Sequence, residues 1–283
     1  MRNARVVVLD WLRACLAAFQ FLTRLPIPVQ IEYTERVFRR SVVFYPLAGC
    51  VIGLLLLLAG KGLGLILPPM PAAVLLLGLW IVLTGGLHLD GLMDTADGIL
   101  SHRPREMMLE IMKDSRVGAM GVIVCVLHVL LKFAILYSLL DLHIAGHEGG
   151  VSFLLVLVPV WSRWFMVMAI YGWPYARKES GLGSLFRSVR KPHVSCSFLV
   201  ALLTTTITAS LALGKGSYAV LADPRVWIIV CGYMLVTVIA GWIFAAYMNS
   251  KLGGLTGDTY GALNELLETV LLVGVLLITL TQF

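Results

Sequence analysis

The sequence predicts an all-α fold, a polytopic transmembrane helical bundle preceded by an amphipathic helix at the membrane interface. Of its 283 residues, 59% are hydrophobic and 13% are charged, whereas a soluble domain is nearer half apolar and a quarter charged. Several apolar runs approach the ~20 residues that cross a bilayer as a helix. We therefore expect a single integral-membrane domain over 1–283, made of an N-terminal interfacial segment, 1–40, and a transmembrane bundle, 41–283.

The elements can be predicted in order along the chain. The amphipathic stretch from Arg5 to Phe21 suits an interfacial helix, and Pro26 and Pro28 end it. About seven apolar runs follow, and each predicts one span. The predicted spans are 41–58, 70–88, 118–140, 151–171, 196–213, 226–247 and 265–282.

Lysine and arginine predict the orientation of the bundle. With the N-terminus in the cytoplasm, 17 of the 22 lysines and arginines lie in cytoplasmic segments and three lie in the opposite loops. Cytoplasmic loops of membrane proteins carry this excess, so the N-terminus is predicted inside and the C-terminus outside. The net charge of +6 is thus a topology signal, and no nucleic-acid partner is expected. The cytoplasmic segments are 1–40, 89–117, 172–195 and 248–264.

A run of aspartates follows the second predicted span, in the sequence GGLHLDGLMDTADG, 85–98. Asp90, Asp94 and Asp97 are spaced i, i+4, i+7, which puts them within an arc of ~60° on one helix face. Three carboxylates so placed repel each other, and a hard cation such as Mg²⁺ or Mn²⁺ between them removes the repulsion. The pattern predicts a divalent-metal site; the alternative is a solvated helix end with capping aspartates.

A second polar run, IMKDSRVGAMG, occupies 111–121. Lys113 and Arg116 are suited to phosphate oxygens, and Asp114 is a candidate fourth metal ligand. Gly118 and Gly121 permit close backbone approach. The alternative is a positively charged membrane anchor with a helix cap.

A third run, GLTGDTYGALNEL, occupies 254–266. Its glycines allow the backbone to wrap a ligand, and its polar side chains suggest a binding site. The alternative is a helix–helix turn with small packing residues. Glu268, just beyond, should face the bundle interior or water. The candidate ligand-binding residues are Thr256, Asp258, Asn264 and Glu265.

A basic residue inside a span and a group of basic residues in a loop have two interpretations each. Arg163 falls inside a predicted span, where it needs an acidic partner or an interfacial position. The arginines and lysines of 172–195, Arg177 among them, suit either a polyanionic substrate or anionic lipid headgroups.

Carboxylates, cations and glycines on one side of a membrane predict phosphoryl or nucleotidyl transfer. A bound cation would neutralise a diphosphate and its leaving phosphate, and a carboxylate that does not bind the cation could accept the proton of an attacking hydroxyl. The residues alone lead no further than this reaction class.

All three runs closely resemble those of the cobalamin synthase (adenosylcobinamide-GDP ribazoletransferase) family. The early run FLTRLPIP, 21–28, and the segment Ser41 to Gly53 resemble the same family. The resemblance covers nearly the whole chain in the right order. It implies a bacterial inner-membrane enzyme of the last steps of cobalamin assembly. The topology predicted from lysine and arginine places all three runs, and so the active site, on the cytoplasmic side.

The resemblance also implies substrates, a cofactor and roles for residues. The enzyme would join adenosylcobinamide-GDP to α-ribazole or its 5′-phosphate, use Mg²⁺ and release GMP. Metal ligands would be Asp90, Asp94, Asp97 and Asp114, and one of Asp94, Asp97 and Asp258 would be the catalytic base. Substrate-binding residues would be Arg24, Lys113, Arg116, Thr256, Asn264 and Glu265. A homo-oligomer is compatible with this expectation.

Two other functions compete with this one. A CDP-alcohol-type phosphatidyltransferase also carries several aspartates on membrane helices, but its full motif, with Ala-Arg after the second residue pair, is not matched. An ion or metabolite transporter would place acids near the middle of the membrane, whereas the aspartates here lie at one boundary and the span centres hold few charges.

Overall fold

The apolar runs of the sequence form helices long enough to cross a bilayer. A computed structural model describes residues 4–144, 153–177, 188–213 and 223–281, and the regular elements it contains there are helices. They are α1 (Ala4–Leu22), α2 (Glu35–Ser41), a 3₁₀ turn (Val42–Phe44), α3 (Tyr45–Ile66), α4 (Pro69–Thr84), α5 (Leu87–Ile99), α6 (Arg105–Ile111), α7 (Ala119–Ile144), α8 (Leu154–Gly172), α9 (Lys191–Leu213), α10 (Pro224–Leu252) and α11 (Gly257–Thr281).

The all-α polytopic fold is confirmed. Six segments of the described chain are long and apolar enough to span a membrane, and α4 with α5 makes a seventh if that bent pair is one span. The predicted interfacial helix corresponds to α1. The predicted run 151–171 corresponds to α8, except for residues 151 and 152, which lie outside the described residues.

The second predicted span, 70–88, is where prediction and structure differ. Helix α4 ends at Thr84, and the axis turns by 87° before α5 begins at Leu87. Gly85 and Gly86 make the corner with φ angles of 65° and 69°, a left-handed conformation that glycine adopts without steric cost. Because α5 leaves the direction of α4, its aspartates lie beside the spans and do not continue one.

Helix α8 is the centre of the bundle, and it packs against α3, α9, α10 and α11. The approach to α3 is very close: a Cβ atom on Gly53 would lie 2.6 Å from the carbonyl oxygen of Val156. Apart from Ser162 and Arg163, the sequence of α8 is apolar on all sides, as expected of a helix enclosed by others.

Helices α7 and α10 are peripheral and turn apolar faces outward. Leu127 of α7 and Ile228 of α10 have exposed fractions of 62% and 70%. Exposed apolar surface of this extent needs a non-aqueous surrounding, so the fold is that of a multi-pass membrane protein.

The N-terminal segment closes against the α4–α5 corner. The backbone N–H of Arg24 donates to the carbonyl of Leu83 at 2.8 Å, and its side chain lies over Gly85, where a Cβ atom would collide with it. The corner is therefore held on its outer side by the chain that follows α1.

Candidate active site

The three polar runs of the sequence meet in space. Helix α5 lies against the first turns of α11, so closely that a Cβ atom on Gly91 would be 2.6 Å from the carbonyl oxygen of Asp258. One turn further along α11, a Cβ atom on Gly261 would be 3.2 Å from the Cα atom of His88. Glycine at these two positions lets the aspartates of α5 and Asp258 face a common space.

Four carboxylates, which we call the aspartate cluster, share this space: Asp90, Asp94, Asp97 and Asp258. Partial burial, and then the negative charges of Asp90, Asp258 and Asp97, raise the pKa of the Asp94 carboxyl to about 6, with Arg177 acting in the opposite direction. The charges that act on Asp94 come from two helices, so the cluster is a tertiary feature. An excess of acid at one place favours a bound cation.

Asp97 also fixes the start of α7. Its two carboxylate oxygens accept hydrogen bonds from the backbone N–H groups of Gly118, at 2.8 Å, and Gly121, at 2.7 Å. A Cβ atom on Gly121 would lie 2.5 Å from Asp97 Oδ2, which explains both glycines of the second run. Asp97 is thus a capping aspartate, for α7 and not for its own helix. Each oxygen keeps a second lone pair that a cation can use.

Asp258 is held by the residues around the start of α11. Thr256 and Thr259 cap the helix reciprocally: Thr259 N–H donates to Thr256 Oγ1 at 3.2 Å, and Thr256 N–H donates to Thr259 Oγ1 at 2.7 Å. Arg177 Nη2 donates to Asp258 Oδ2 at 2.7 Å. Thr256, a predicted substrate-binding residue, is fully buried in this cap.

The structure joins Asp114 and Arg116 to each other. Arg116 Nη2 donates to Asp114 Oδ2 at 2.6 Å, and these hydrogen bonds lower the pKa of the Asp114 carboxyl to about 2. Both side chains are exposed, at 37% for Asp114 and 88% for Arg116. Lys113 lies instead along a cleft with Arg105 and Arg177. Lys113, unlike Arg116, therefore shares a cleft with Arg177, the residue that contacts Asp258.

A second set of polar side chains lies deeper in the bundle, and we call it the inner network. Lys132 Nζ donates to Glu265 Oε2 and to Glu268 Oε2, each at 2.6 Å. Arg163 donates to the other oxygen of Glu268, so of its two interpretations the acidic partner is the correct one. The network comprises His88, His128, Lys132, Arg163, Asn264, Glu265 and Glu268.

The inner network contains two of the predicted substrate-binding residues. Asn264 is fully buried and donates to His88 Nδ1 at 3.2 Å and to Glu268 Oε1 at 3.1 Å. Glu265 is 6% exposed and accepts from His128 Nε2 at 2.9 Å. Both side chains therefore lie deeper in the bundle than the aspartate cluster, where their partners are other protein side chains.

The inner network also changes one argument from the sequence. Lys132 and Arg163 are buried near the middle of α7 and α8, so charges do occupy the interior of the bundle. Their acidic partners Glu265 and Glu268 are within hydrogen-bonding distance. The scarcity of charge in the span centres is therefore a weaker argument against a transporter than the sequence suggested.

The chemistry of the aspartate cluster fits a hard divalent cation. Its donors are carboxylate oxygens, and negative charge is in excess. In the described part of the chain, no three Asp, Glu, His or Cys side chains are grouped as a formed metal site.

Sequence reasoning missed the specific importance of Arg177 and Arg105. Arg177 was one of several equivalent basic residues, and only its contact with Asp258 distinguishes it. Arg105 donates to the carbonyl of Ala176 at 3.3 Å, a contact between distant segments with no local signal. Arg24 lies at the α4–α5 corner with its side chain exposed.

Comparison with known proteins gives a consistent result. The family model described as cobalamin-5-phosphate synthase matches residues 14–276. A protein of Desulfitobacterium hafniense is 40% identical over 93% of this chain and 96% of its own length, and one of Brevibacillus brevis is 38% identical over 93% and 97%. One of Pseudomonas aeruginosa is 38% identical over 94% and 98%.

All three relatives are named adenosylcobinamide-GDP ribazoletransferase. No solved structure matches the chain at a significant level. Since the family match extends over nearly all of the chain, and the relatives are matched over nearly their full lengths, the chain belongs to the cobalamin-5-phosphate synthase family.

Proposed function

We propose that this protein is an adenosylcobinamide-GDP ribazoletransferase, a membrane enzyme that joins adenosylcobinamide-GDP to α-ribazole or its 5′-phosphate and releases GMP. Membership of the family and the name shared by its relatives support this activity. The structural observation that carries the proposal is the meeting of α5 and α11 at the aspartate cluster. Neither a CDP-alcohol-type transferase nor a transporter has comparable support.

We assign Mg²⁺ to Asp90 and Asp94, with Asp97 on the same helix face. Asp114 remains a sequence prediction, since its oxygens already accept hydrogen bonds from Arg116. When bound, the cation supplies positive charge against the diphosphate of the substrate.

The contacts of the other side chains support the rest of the proposed reaction. The ribazole hydroxyl forms an O–P bond to the phosphate nearest the cobinamide, the P–O bond to the second phosphate breaks, and GMP leaves. Asp258, on the helix opposite Asp94, accepts the hydroxyl proton. Asp97 caps the start of α7 and Thr256 caps the start of α11, so each helix start keeps its conformation during the reaction.

The remaining predicted residues keep distinct parts in the proposal. We assign Lys113 to a phosphate of the substrate, supported by its position in the cleft, and we keep Arg24, at the α4–α5 corner, as a substrate-binding residue. Arg116 remains a predicted phosphate ligand. Asn264 and Glu265 act indirectly, through their hydrogen bonds and ion pairs within the inner network.

Turnover by the purified protein tests the proposed activity. In detergent or nanodiscs, with adenosylcobinamide-GDP, α-ribazole and Mg²⁺, we expect equal amounts of GMP and adenosylcobalamin by chromatography. EDTA should abolish both products, and excess Mg²⁺ should restore them. If a preparation whose unfolding curve shows that it is folded forms neither product, the proposed activity is refuted. Full turnover in EDTA would refute the requirement for a metal ion.

We further propose that the protein lies in the bacterial inner membrane with its N-terminus and the aspartate cluster on the cytoplasmic side. The excess of lysine and arginine in alternate segments supports this orientation. Two exposed positions test it, Gly62 at the end of α3 and Arg103 between α5 and α6. With the native cysteines replaced by serine, Gly62→Cys should react with an impermeant maleimide in intact cells and Arg103→Cys only after permeabilisation. The reverse pattern would invert the topology.

A further inference from the structure

A cleft of about 300 Å³ opens beside the aspartate cluster, between α6 and the segment that follows α8. Three cations line it, two from the α6 region and one from the segment after α8. The volume is at the lower end of the range for small-molecule sites, ~300–1,000 Å³. The lining residues are Arg105, Glu106, Leu109, Glu110, Lys113, Ala176 and Arg177.

One wall of the cleft is fixed to the start of α11. Ala176 N–H donates to the carbonyl of Leu255, and Leu255 N–H donates to the carbonyl of Pro174, each at 2.8 Å. Gly254 makes this pairing possible, because a Cβ atom there would lie 2.6 Å from the oxygen of Pro174. Since Leu255 is three residues from Asp258, the cleft and the aspartate cluster are held in one arrangement.

Arg177 joins the two sites directly. It lines the cleft, and its Nη2 atom donates to Asp258 Oδ2 at 2.7 Å and to the carbonyl of Met112 at 3.4 Å. The side chains of Arg177 and Asp258 are 20% and 24% exposed, so a ligand in the cleft can reach the guanidinium. Guanidinium groups bind phosphate oxygens through two parallel hydrogen bonds.

We propose that this cleft binds the phosphates of the guanosine nucleotide portion of the substrate, and that Arg177 exchanges Asp258 for a phosphate oxygen when that portion binds. This inference rests on the proposed function. The exchange leaves the charge of Asp258 uncompensated inside the aspartate cluster, which then attracts a cation more strongly. Nucleotide and Mg²⁺ therefore bind cooperatively, and each raises the affinity of the other by the same factor.

Binding of GMP to the full-length protein in nanodiscs tests the proposal without turnover. GMP is the preferred probe because it chelates Mg²⁺ more weakly than a diphosphate does. By calorimetry we expect GMP to bind, guanosine to bind much more weakly, and Mg²⁺ to raise the affinity for GMP. Guanosine binding as tightly as GMP would overturn phosphate recognition.

Variants separate the cleft from general electrostatic attraction. Arg177→Met should weaken GMP binding by about 10- to 100-fold, the range for hydrogen bonds to charged groups, and should remove its dependence on Mg²⁺. Arg103→Met removes an exposed arginine that does not line the cleft, and should bind GMP as the unmodified protein does. Equal affinities for all three proteins, or equal losses in both variants, would overturn the proposal.

Two further measurements keep the test decisive. Should Arg177→Met fail to fold, Lys113→Met and Arg177→Lys take its place, and an unchanged GMP affinity in both would overturn the cleft. Turnover of the unmodified protein distinguishes the two proposals. Normal turnover with GMP binding that is indifferent to Arg177 refutes the cleft alone, whereas Arg177-dependent binding without turnover refutes the activity alone.

Discussion

The aspartate cluster and the inner network lie one behind the other on α5 and α11, and they differ in the balance of their charges. In the inner network Glu265 and Glu268 face Lys132 and Arg163 at hydrogen-bonding distance. In the aspartate cluster four carboxylates lie close to one another. Among the described residues, the cation in contact with one of them is Arg177, which pairs with Asp258. Side chains whose charges balance hold helices together without a ligand, whereas a cluster with excess negative charge needs a bound cation.

This comparison has an energetic basis. Charges buried away from water are tolerated when each has a partner, and removing one partner leaves the other uncompensated. The aspartate cluster avoids that cost because Asp90 is exposed and Asp94 partly so. The inner network should therefore affect stability when altered, and the aspartate cluster should affect activity.

The largest expected effect is on the inner network. Glu268→Leu leaves Arg163 without its carboxylate and Lys132 with one of two, and breaking a buried pair in this way costs about 3–5 kcal/mol. We expect unfolding in detergent at a much lower temperature and poor accumulation in the membrane. The double variant Glu268→Leu, Arg163→Leu should recover part of the loss. An unchanged unfolding temperature in the single variant would contradict the balanced-network interpretation.

In the aspartate cluster we expect the opposite result. Asp94→Asn removes a carboxylate where negative charge is in excess, so turnover should fall by about 10²-fold or more, the scale on which single charged catalytic groups act. The free energy of unfolding should change by no more than about 0.5 kcal/mol. GMP release and thermal unfolding measured on the same preparation would check both. Undiminished turnover would mean that Asp94 lies at a solvated helix end with no catalytic part.

A smaller effect is expected where the two helices touch. Gly91→Ala places a methyl group against the backbone of Asp258, and such overpacking costs about 1–3 kcal/mol. Turnover should fall too, because α5 must move away from α11. Gly78→Ala is the matched control, since nothing lies within 4 Å of a Cβ atom there. Equal behaviour of the two variants would show that the contact does not set the spacing.

The smallest expected effect on stability concerns the cap on α7. Asp97→Ala removes the acceptor of two backbone N–H groups, and the loss of a cap typically costs about 1 kcal/mol. Amide hydrogen exchange should become faster at Gly118 and Gly121 while α8 stays protected. If exchange at these glycines is unaffected, the α7 cap does not depend on Asp97.

The sequence predicts the helices well, because long apolar runs and alternating basic loops are local signals. It does not predict the α4–α5 corner, since the apolar run continues through Gly85 and Gly86, and their positive φ angles end α4 within that run. At the site it groups Asp258 with Glu265, which share a helix face. Seven residues of helix separate them by ~10 Å along the axis, so one faces the cluster and the other the inner network.

The partners of Glu265 and Glu268 could not be predicted for a related reason. Lys132 and Arg163 come from α7 and α8, and which acid meets which base depends on how the helices cross. The sequence does show that such charges need a partner. The same limit applies to Arg177, whose contact with Asp258 joins residues 81 positions apart.

The hold of Arg24 on the α4–α5 corner has a consequence for biogenesis. Arg24 leaves the ribosome long before Leu83 and Gly85, the residues it contacts. The N-terminal segment therefore has no docking surface until α3 and α4 have been inserted and the corner has formed. Closure of this segment is a late step of co-translational assembly, and nascent chains arrested before the corner is synthesised should remain open to protease around Arg24.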